Sequence, residues 1–190
     1  MTAETKPAPR HGVKLLLVLA VIAVLVGLDQ WSKIVAIEHL MNAPPILYFG
    51  GLFRWTYATN SGAFLSLGST LSEANRFWVL VGFNGIILSA LALFLLFNRQ
   101  LQKAPAIALA LILAGGIGNL IDRLFRGGEV VDFMHIDLGF SLGPLPMKTG
   151  VFNVADMAIV GGLLMLIALE MLQKKRPAQV EVGEVGKAEG

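Results

Sequence analysis

The stretch VKLLLVLAVIAVLVGLDQWSKIVAI, residues 13–37, decides the class of fold. From Val13 to Leu28 it carries a single charge, Lys14, and it then continues through Asp29, Gln30, Trp31, Ser32 and Lys33 into a second apolar patch. As a helix rising ~1.5 Å per residue, it is long enough to cross a hydrocarbon layer of about 30 Å. The basic residues before it suit a secretory leader. However, the apolar run is long for one, and Asp29-Gln30-Trp31 follows it instead of a small-residue cleavage site, so it reads as a retained first span.

Three further runs of the same kind follow. They cover residues 77–97, broken by Asn84 and Ser89, residues 104–121, and residues 154–172, with Asp156 near the start of the last. The whole chain of 190 residues is 55% hydrophobic and 15% charged, more apolar than a soluble core of this length needs. The expected architecture is therefore an all-α polytopic membrane protein with four transmembrane helices in a domain over residues 13–172. Polar cytoplasmic tails flank it at 1–12 and 173–190. A net charge of +2 does not suggest a nucleic-acid partner. The absence of cysteine excludes disulfides, thiolate zinc sites and a cysteine nucleophile.

Basic residues set the orientation. Lys6, Arg10 and Lys14, then Arg99 and Lys103 in the short turn, then Lys174, Lys175 and Arg176 all fall on one side of a four-span chain. That side is expected to be cytoplasmic, which puts both termini inside the cell. Both long connections, 41–76 and 124–153, then lie outside. In the first, β-branched and aromatic residues around Gly50-Gly51 over residues 46–57 suggest a short hairpin, a small extracytoplasmic β-rich element with aromatics suited to the membrane interface. In the second, residues 139–150 are rich in Gly and Pro and read as irregular.

On this topology the intramembrane polar residues converge. Asp29, Gln30 and Lys33 lie at the outer end of the first span, Asn119, Asp122 and Arg123 at the outer end of the third, and Asn153 and Asp156 at the outer start of the fourth, with Asp132 close by. A charge facing lipid costs about 2.5–3.5 kcal/mol, so one shared polar pocket at the outer face is the simplest reading. Asn119 is three and four residues before Asp122 and Arg123, so one helical face carries all three. Gly115, Gly116 and Gly118 let a neighbouring helix or a substrate backbone approach closely.

Each signal also has a plainer reading. Asp29 with Lys33 is an i,i+4 ion pair of the favoured order, and Arg123 suits snorkelling or pairing with Asp122 or Asp132. The glycines suit simple packing, Asn84 an interhelical hydrogen bond, and Trp31, Trp55 and Trp78 interface anchoring. His135 and Asp137 follow Asp132 at one-face strand spacing. With only His39 near enough to join them, no metal site and no cofactor are expected.

No Ser-His-Asp set, zinc-protease motif or phosphate loop stands out among the histidines His11, His39 and His135 and their surroundings. Carboxylates remain. Two neighbouring aspartates share a proton, one activating a water and the other donating to a carbonyl. Asp132 and Asp156 are the natural pair, since both lie outside the hydrocarbon centre. A small proton or ion transporter is the main alternative, because membrane carboxylates also mark proton relays, but the inner halves of these spans are almost purely apolar. A lipid-binding assembly subunit would not need two aspartates in one pocket.

Five segments in order, 29–33 (DQWSK), 60–64 (NSGAF), 115–123 (GGIGNLIDR), 130–133 (VVDF) and 152–156 (FNVAD), resemble the sequence boxes of the bacterial lipoprotein signal peptidases, signal peptidase II. The resemblance runs from about Lys14 to Leu172. It implies an aspartyl endopeptidase of the bacterial inner membrane, active toward the outer face and expected to work as a monomer in contact with membrane lipid. Its implied substrates are prolipoproteins with a lipidated lipobox cysteine, cut just before that cysteine. It further implies Asp132 and Asp156 as the catalytic dyad. Asn60, Gly115, Asn119, Arg123, Asn153 and Ala155 become substrate-binding or dyad-supporting, and Asp29, Lys33 and Asp122 structural support. The connection from Asp132 to Asp156 is longer than the resemblance implies, through residues 139–150.

Overall fold

The structure is a computed structural model and describes residues 11–62 and 73–174. The tails, and with them Lys6, Arg10, Lys175 and Arg176, lie outside the described residues, as do Ala63 and Phe64 of the second box. Four helices are long and apolar enough to cross a membrane: α1 (His11–Leu40), α2 (Glu73–Phe97), α3 (Lys103–Phe125) and α4 (Val154–Lys174). Each contains the apolar run read from the sequence, and α1 and α3 continue about a turn beyond it. Pro44 and Pro45 follow soon after α1, where a missing backbone N–H no longer matters to the helix.

α3 is the most enclosed of the four and packs against α1, α2 and α4. Its glycines explain how. A Cβ on Gly115 would strike the Ala155 carbonyl of α4, one on Gly116 would strike Leu88 of α2, and one on Gly118 would strike the Asp29 carboxylate of α1. Three glycines within four positions thus serve three different neighbours, because consecutive helical residues point about 100° apart. The opposite faces of the outer helices carry exposed Leu16, Phe83, Ile86 and Leu164, as a lipid-facing surface would.

At the end where α2 meets α3, the Asn98 side chain accepts from the amides of Gln100 and Leu101 and so turns the chain. Lys14 of α1 is buried here. Its ammonium donates to the carbonyls of Asn98 (2.7 Å), Leu101 (3.0 Å) and Arg99 (3.4 Å). These contacts give a donor to the carbonyls of the turn that follows α2. The start of α1 and the α2–α3 turn therefore share one end of the bundle.

At the other end stands a four-stranded antiparallel sheet in the order β1 (Ile46–Tyr48), β2 (Phe53–Asn60), β3 (Val130–Leu142), β4 (Leu145–Lys148). β1 and β2 form the hairpin expected around Gly50-Gly51, whose turn holds both glycines at positive φ. In the β2–β3 register Asn60 lies opposite Val130 and Ala58 opposite Asp132. Two readings need correction. Residues 139–150 are not irregular: most of them finish β3 and return as β4, with Leu142 opposite Leu145, Gly139 at a register shift within β3, Gly143 and Pro144 at the turn, and Pro146 on the edge strand, where a missing donor costs nothing. Among the described residues, Asn84 makes no hydrogen bond to another helix. Its amide donates to the Leu80 carbonyl of its own helix (2.6 Å), the acceptor one turn back.

Candidate active site

The site is built on the first turn of α4. Asn153 precedes the helix, and its side-chain oxygen accepts from the Asp156 amide (2.9 Å), while the Asp156 carboxylate accepts from the Asn153 amide (3.1 Å). This is a reciprocal capping box, with Asn and Asp in the roles usually taken by Ser or Thr and Glu. The next free amide, that of Ala155, donates to the Asp29 carboxylate of α1 (2.9 Å). The helix start is thus satisfied by two side chains from different parts of the fold, and one of the capping acids is Asp156.

Asp132 reaches the same place from β3, where it is buried. The Asn153 amide group, itself wholly buried, donates to Asp132 at 2.7 Å, to the Val131 carbonyl at 3.2 Å and to the Asn119 side-chain oxygen at 3.1 Å. Asn119 in turn donates to Asp156 at 2.9 Å. From β2, Asn60 hydrogen-bonds Asp132, and its own oxygen accepts from the Gly62 amide (2.9 Å). Asp132 is pushed up to about 6, first by burial and then by the neighbouring Asp156 carboxylate; the Asn153 and Asn60 hydrogen bonds and the Lys33 charge oppose this.

Beneath the two aspartates lies a second polar layer. Lys33 bridges Asp29 (2.8 Å) and Asp122 (3.0 Å), and all three side chains are essentially inaccessible to solvent. Its ammonium also donates to Asn119 (3.1 Å). Asp122 accepts from the Val131 amide of β3 (3.0 Å) and pairs with Arg126 (3.3 Å). Gln30 donates to Asp29, Asp122 and the Gly118 carbonyl, each at 3.1 Å. The layer joins α1, α3, α4 and β3, and losing one partner of such a buried pair costs about 3–5 kcal/mol.

Gly115 and Ala155 meet at the α3–α4 contact directly under this layer. Arg123 lies half-buried within electrostatic reach of Asp156, Asp132 and Asp122. It donates only weakly to the Asn119 carbonyl (3.4 Å), and its Nε is buried with no partner among the described residues. It does not form the ion pair with Asp122 that spacing allowed; Lys33 and Arg126 occupy that carboxylate. Beside Asp156 a groove of about 560 Å³ runs down α4 past Met157, Val160 and Leu164, walled by Phe152 and almost wholly apolar.

The structure thus brings together Asn60, Asn119, Asp132, Asn153 and Asp156, with Asp29, Lys33 and Asp122 beneath. Arg126 was missed; Gln30 was read from the sequence as one of the converging polar residues, but without the role of tying Asp29 to Asp122. His135 and Asp137 turn to other work: His135 lies opposite Arg54 in the sheet, and Asp137 pairs with Arg54 at 2.8 Å.

Comparison with known proteins bears on this arrangement. A family model described as signal peptidase (SPase) II matches residues 21–172. The lipoprotein signal peptidase of Sphingopyxis alaskensis is 35% identical over 182 residues, covering 95% of this chain and 96% of that one. Its counterpart in Chlorobium phaeobacteroides is 39% identical over 150 residues, covering 76% and 89%. A bacterial membrane enzyme solved by the in meso method at 2.3 Å has the same fold, with a TM-score of 0.70 at 24% identity over 90% of this chain and 94% of that one. A four-helix membrane bundle, a matching family model over most of its length and relatives of matching extent lead to one conclusion: the chain belongs to the signal peptidase II family.

Proposed function

We propose that this protein is an aspartyl endopeptidase of the bacterial inner membrane that removes the signal peptide from diacylglyceryl-modified prolipoproteins, cutting just before the lipidated cysteine. The observation that carries the reading is the convergence of Asp132 and Asp156 on a shared set of amide donors, Asn153 and Asn119. The raised Asp132 is the member that holds the shared proton. Asp156, through its carboxylate, takes a proton from water as the water oxygen attacks the scissile carbonyl, and Asp132 donates its proton to the carbonyl oxygen. Collapse of the tetrahedral diol breaks the C–N bond: one hydroxyl returns its proton to Asp132 as the carbonyl re-forms, and the leaving amine takes up the proton held by Asp156, which restores the dyad.

The apolar groove beside Asp156 suits the apolar stretch of a signal peptide or the acyl chains of its lipid. Arg123, with a donor to spare, suits a substrate carbonyl. The clustering of Lys14, Arg99, Lys103 and Lys174 at the far end of the bundle supports a cytoplasmic location for that end and an outward-facing site. A transporter would need polar groups leading inward from the dyad. Among the described residues, the buried polar ones at the dyad end are Asp29, Lys33, Asp122, Asp132 and Asn153, and the only one at the other end is Lys14, which is consumed by turn carbonyls.

The test is cleavage by the purified protein of a diacylated precursor and its unmodified counterpart. The diacylated form should be cut, and Asp132→Asn and Asp156→Asn should each abolish the cut while leaving the protein folded. Full activity in either variant, or equal cleavage of both precursors, would refute the corresponding part of the proposal.

A further inference from the structure

A primary amide can be turned either way round in its pocket, and the two orientations exchange an acceptor for two donors. At Asn119 the surroundings choose. Its oxygen faces two donors, the Lys33 ammonium and the Asn153 amide, both at 3.1 Å, and its nitrogen faces the Asp156 carboxylate at 2.9 Å. Turning the group over would set an NH2 against an ammonium and an oxygen against a carboxylate. Asn153 alone does not decide the matter, since its own amide group has Asp132 and the Val131 carbonyl to satisfy it. Lys33 does: it is inaccessible to solvent, its charge is held in place by Asp29 and Asp122, and an ammonium has no acceptor to offer.

We infer that Lys33 is a positioning residue for the reaction: its ammonium fixes the Asn119 amide so that the NH2 always points at Asp156. This rests on the dyad reading above. It gives the buried ion cluster a task beyond bracing the bundle, because the cluster holds the one cation that determines what the dyad meets from below. The charged groups around Asn119 are Asp29 and Lys33 on α1, Asp122 and Arg123 on α3 with Arg126 just past its end, Asp132 on β3 and Asp156 on α4.

The test uses the full chain and the diacylated precursor. Lys33→Met alone would strand two buried carboxylates, so it is combined with Asp29→Asn and Asp122→Asn, which leaves no buried carboxylate without its cation; Arg126, which loses its pair with Asp122, is partly exposed and can turn to solvent. With folding verified by the melting curve, kcat should fall about 10- to 100-fold, the range of one hydrogen bond to a charged group, with KM within about twofold. A fall in kcat at unchanged KM is the mark of positioning, since lost bracing alone would lower only the melting temperature. A folded triple variant with the parent's kcat overturns the inference and leaves a bracing role only.

If the triple variant does not fold, Lys33→Met with Asp29→Asn decides: it removes one charge of each sign and leaves Asp122 its pair with Arg126. Nothing then excludes the turned orientation of Asn119 on that side, so kcat should fall by the same range; the parent's kcat in the folded protein overturns the inference. Asp132→Asn, run alongside, separates the two claims. If that variant still cleaves, the dyad reading has failed. If it is dead and the Lys33 variants prove indifferent, only the present inference has.

Discussion

Asn153 uses every polar atom it has: its oxygen caps α4, its amide group ties Asp132, Val131 and Asn119, and its backbone amide meets Asp156. Asn153→Ala should therefore lose about 1 kcal/mol as a missing helix cap, visible as a lower melting temperature. Its activity should drop far more, by about 100-fold in kcat, because Asp132 and Asp156 lose their common partner. At Asp132 the sign of the pH dependence follows from its raised position. Below about pH 6 the carboxyl keeps the proton that the mechanism donates; above it the proton is lost. The kcat/KM profile of the free enzyme should fall on an alkaline limb near pH 6, and a profile flat from 5 to about 8 would contradict the assignment. At this scale the sequence marked the polar residues that the structure gathers and was uninformative about who binds whom. Asn-x-x-Asp at residues 153–156 is a legible capping box, yet nothing in it says that the capping acid also faces Asp132, since that contact depends on where a distant strand lies.

Among the elements, α3 has the least freedom. Gly115 touches the Ala155 carbonyl in the first turn of α4, so a methyl group there has backbone to displace and not a flexible side chain. Gly115→Ala should push the two helices apart, costing about 1–3 kcal/mol in overpacking and moving Asp156 away from Asn119. The expected readout is a lower melting temperature together with lost cleavage. Gly27, with open space around its position, should accept Ala without either effect. The spans themselves were legible because lipid demands long apolar runs. The glycines were legible as packing residues, but the partner of each was not, since that requires the rotation of α3 against three neighbours at once. The second hairpin was missed for a different reason: Gly and Pro mark turns, and in β3–β4 the turn lies between strand residues whose apolar character follows no strict alternation.

For the molecule as a whole, the two ends of the bundle have separate duties. Lys14 fastens α1 to the α2–α3 turn at the end remote from the dyad. Lys14→Met would strand carbonyls that now have a donor. It should lower the melting temperature in detergent by several degrees while leaving kcat per folded molecule within about twofold. Loss of activity beyond the loss of folded protein would show that the ends are coupled. The four-span architecture was legible from hydropathy. The sheet's antiparallel order was not, because its central pairing joins β2 to β3 across two helices.

The capping of α4 has one more consequence. The amide hydrogens of Ala155 and Asp156 are held by Asp29 and by Asn153, so they exchange with deuterated solvent only when the first turn of α4 frays. That fraying also disperses the carboxylates. The exchange rate of two backbone hydrogens therefore reports the fraction of time the site stands assembled, in resting protein with no substrate added.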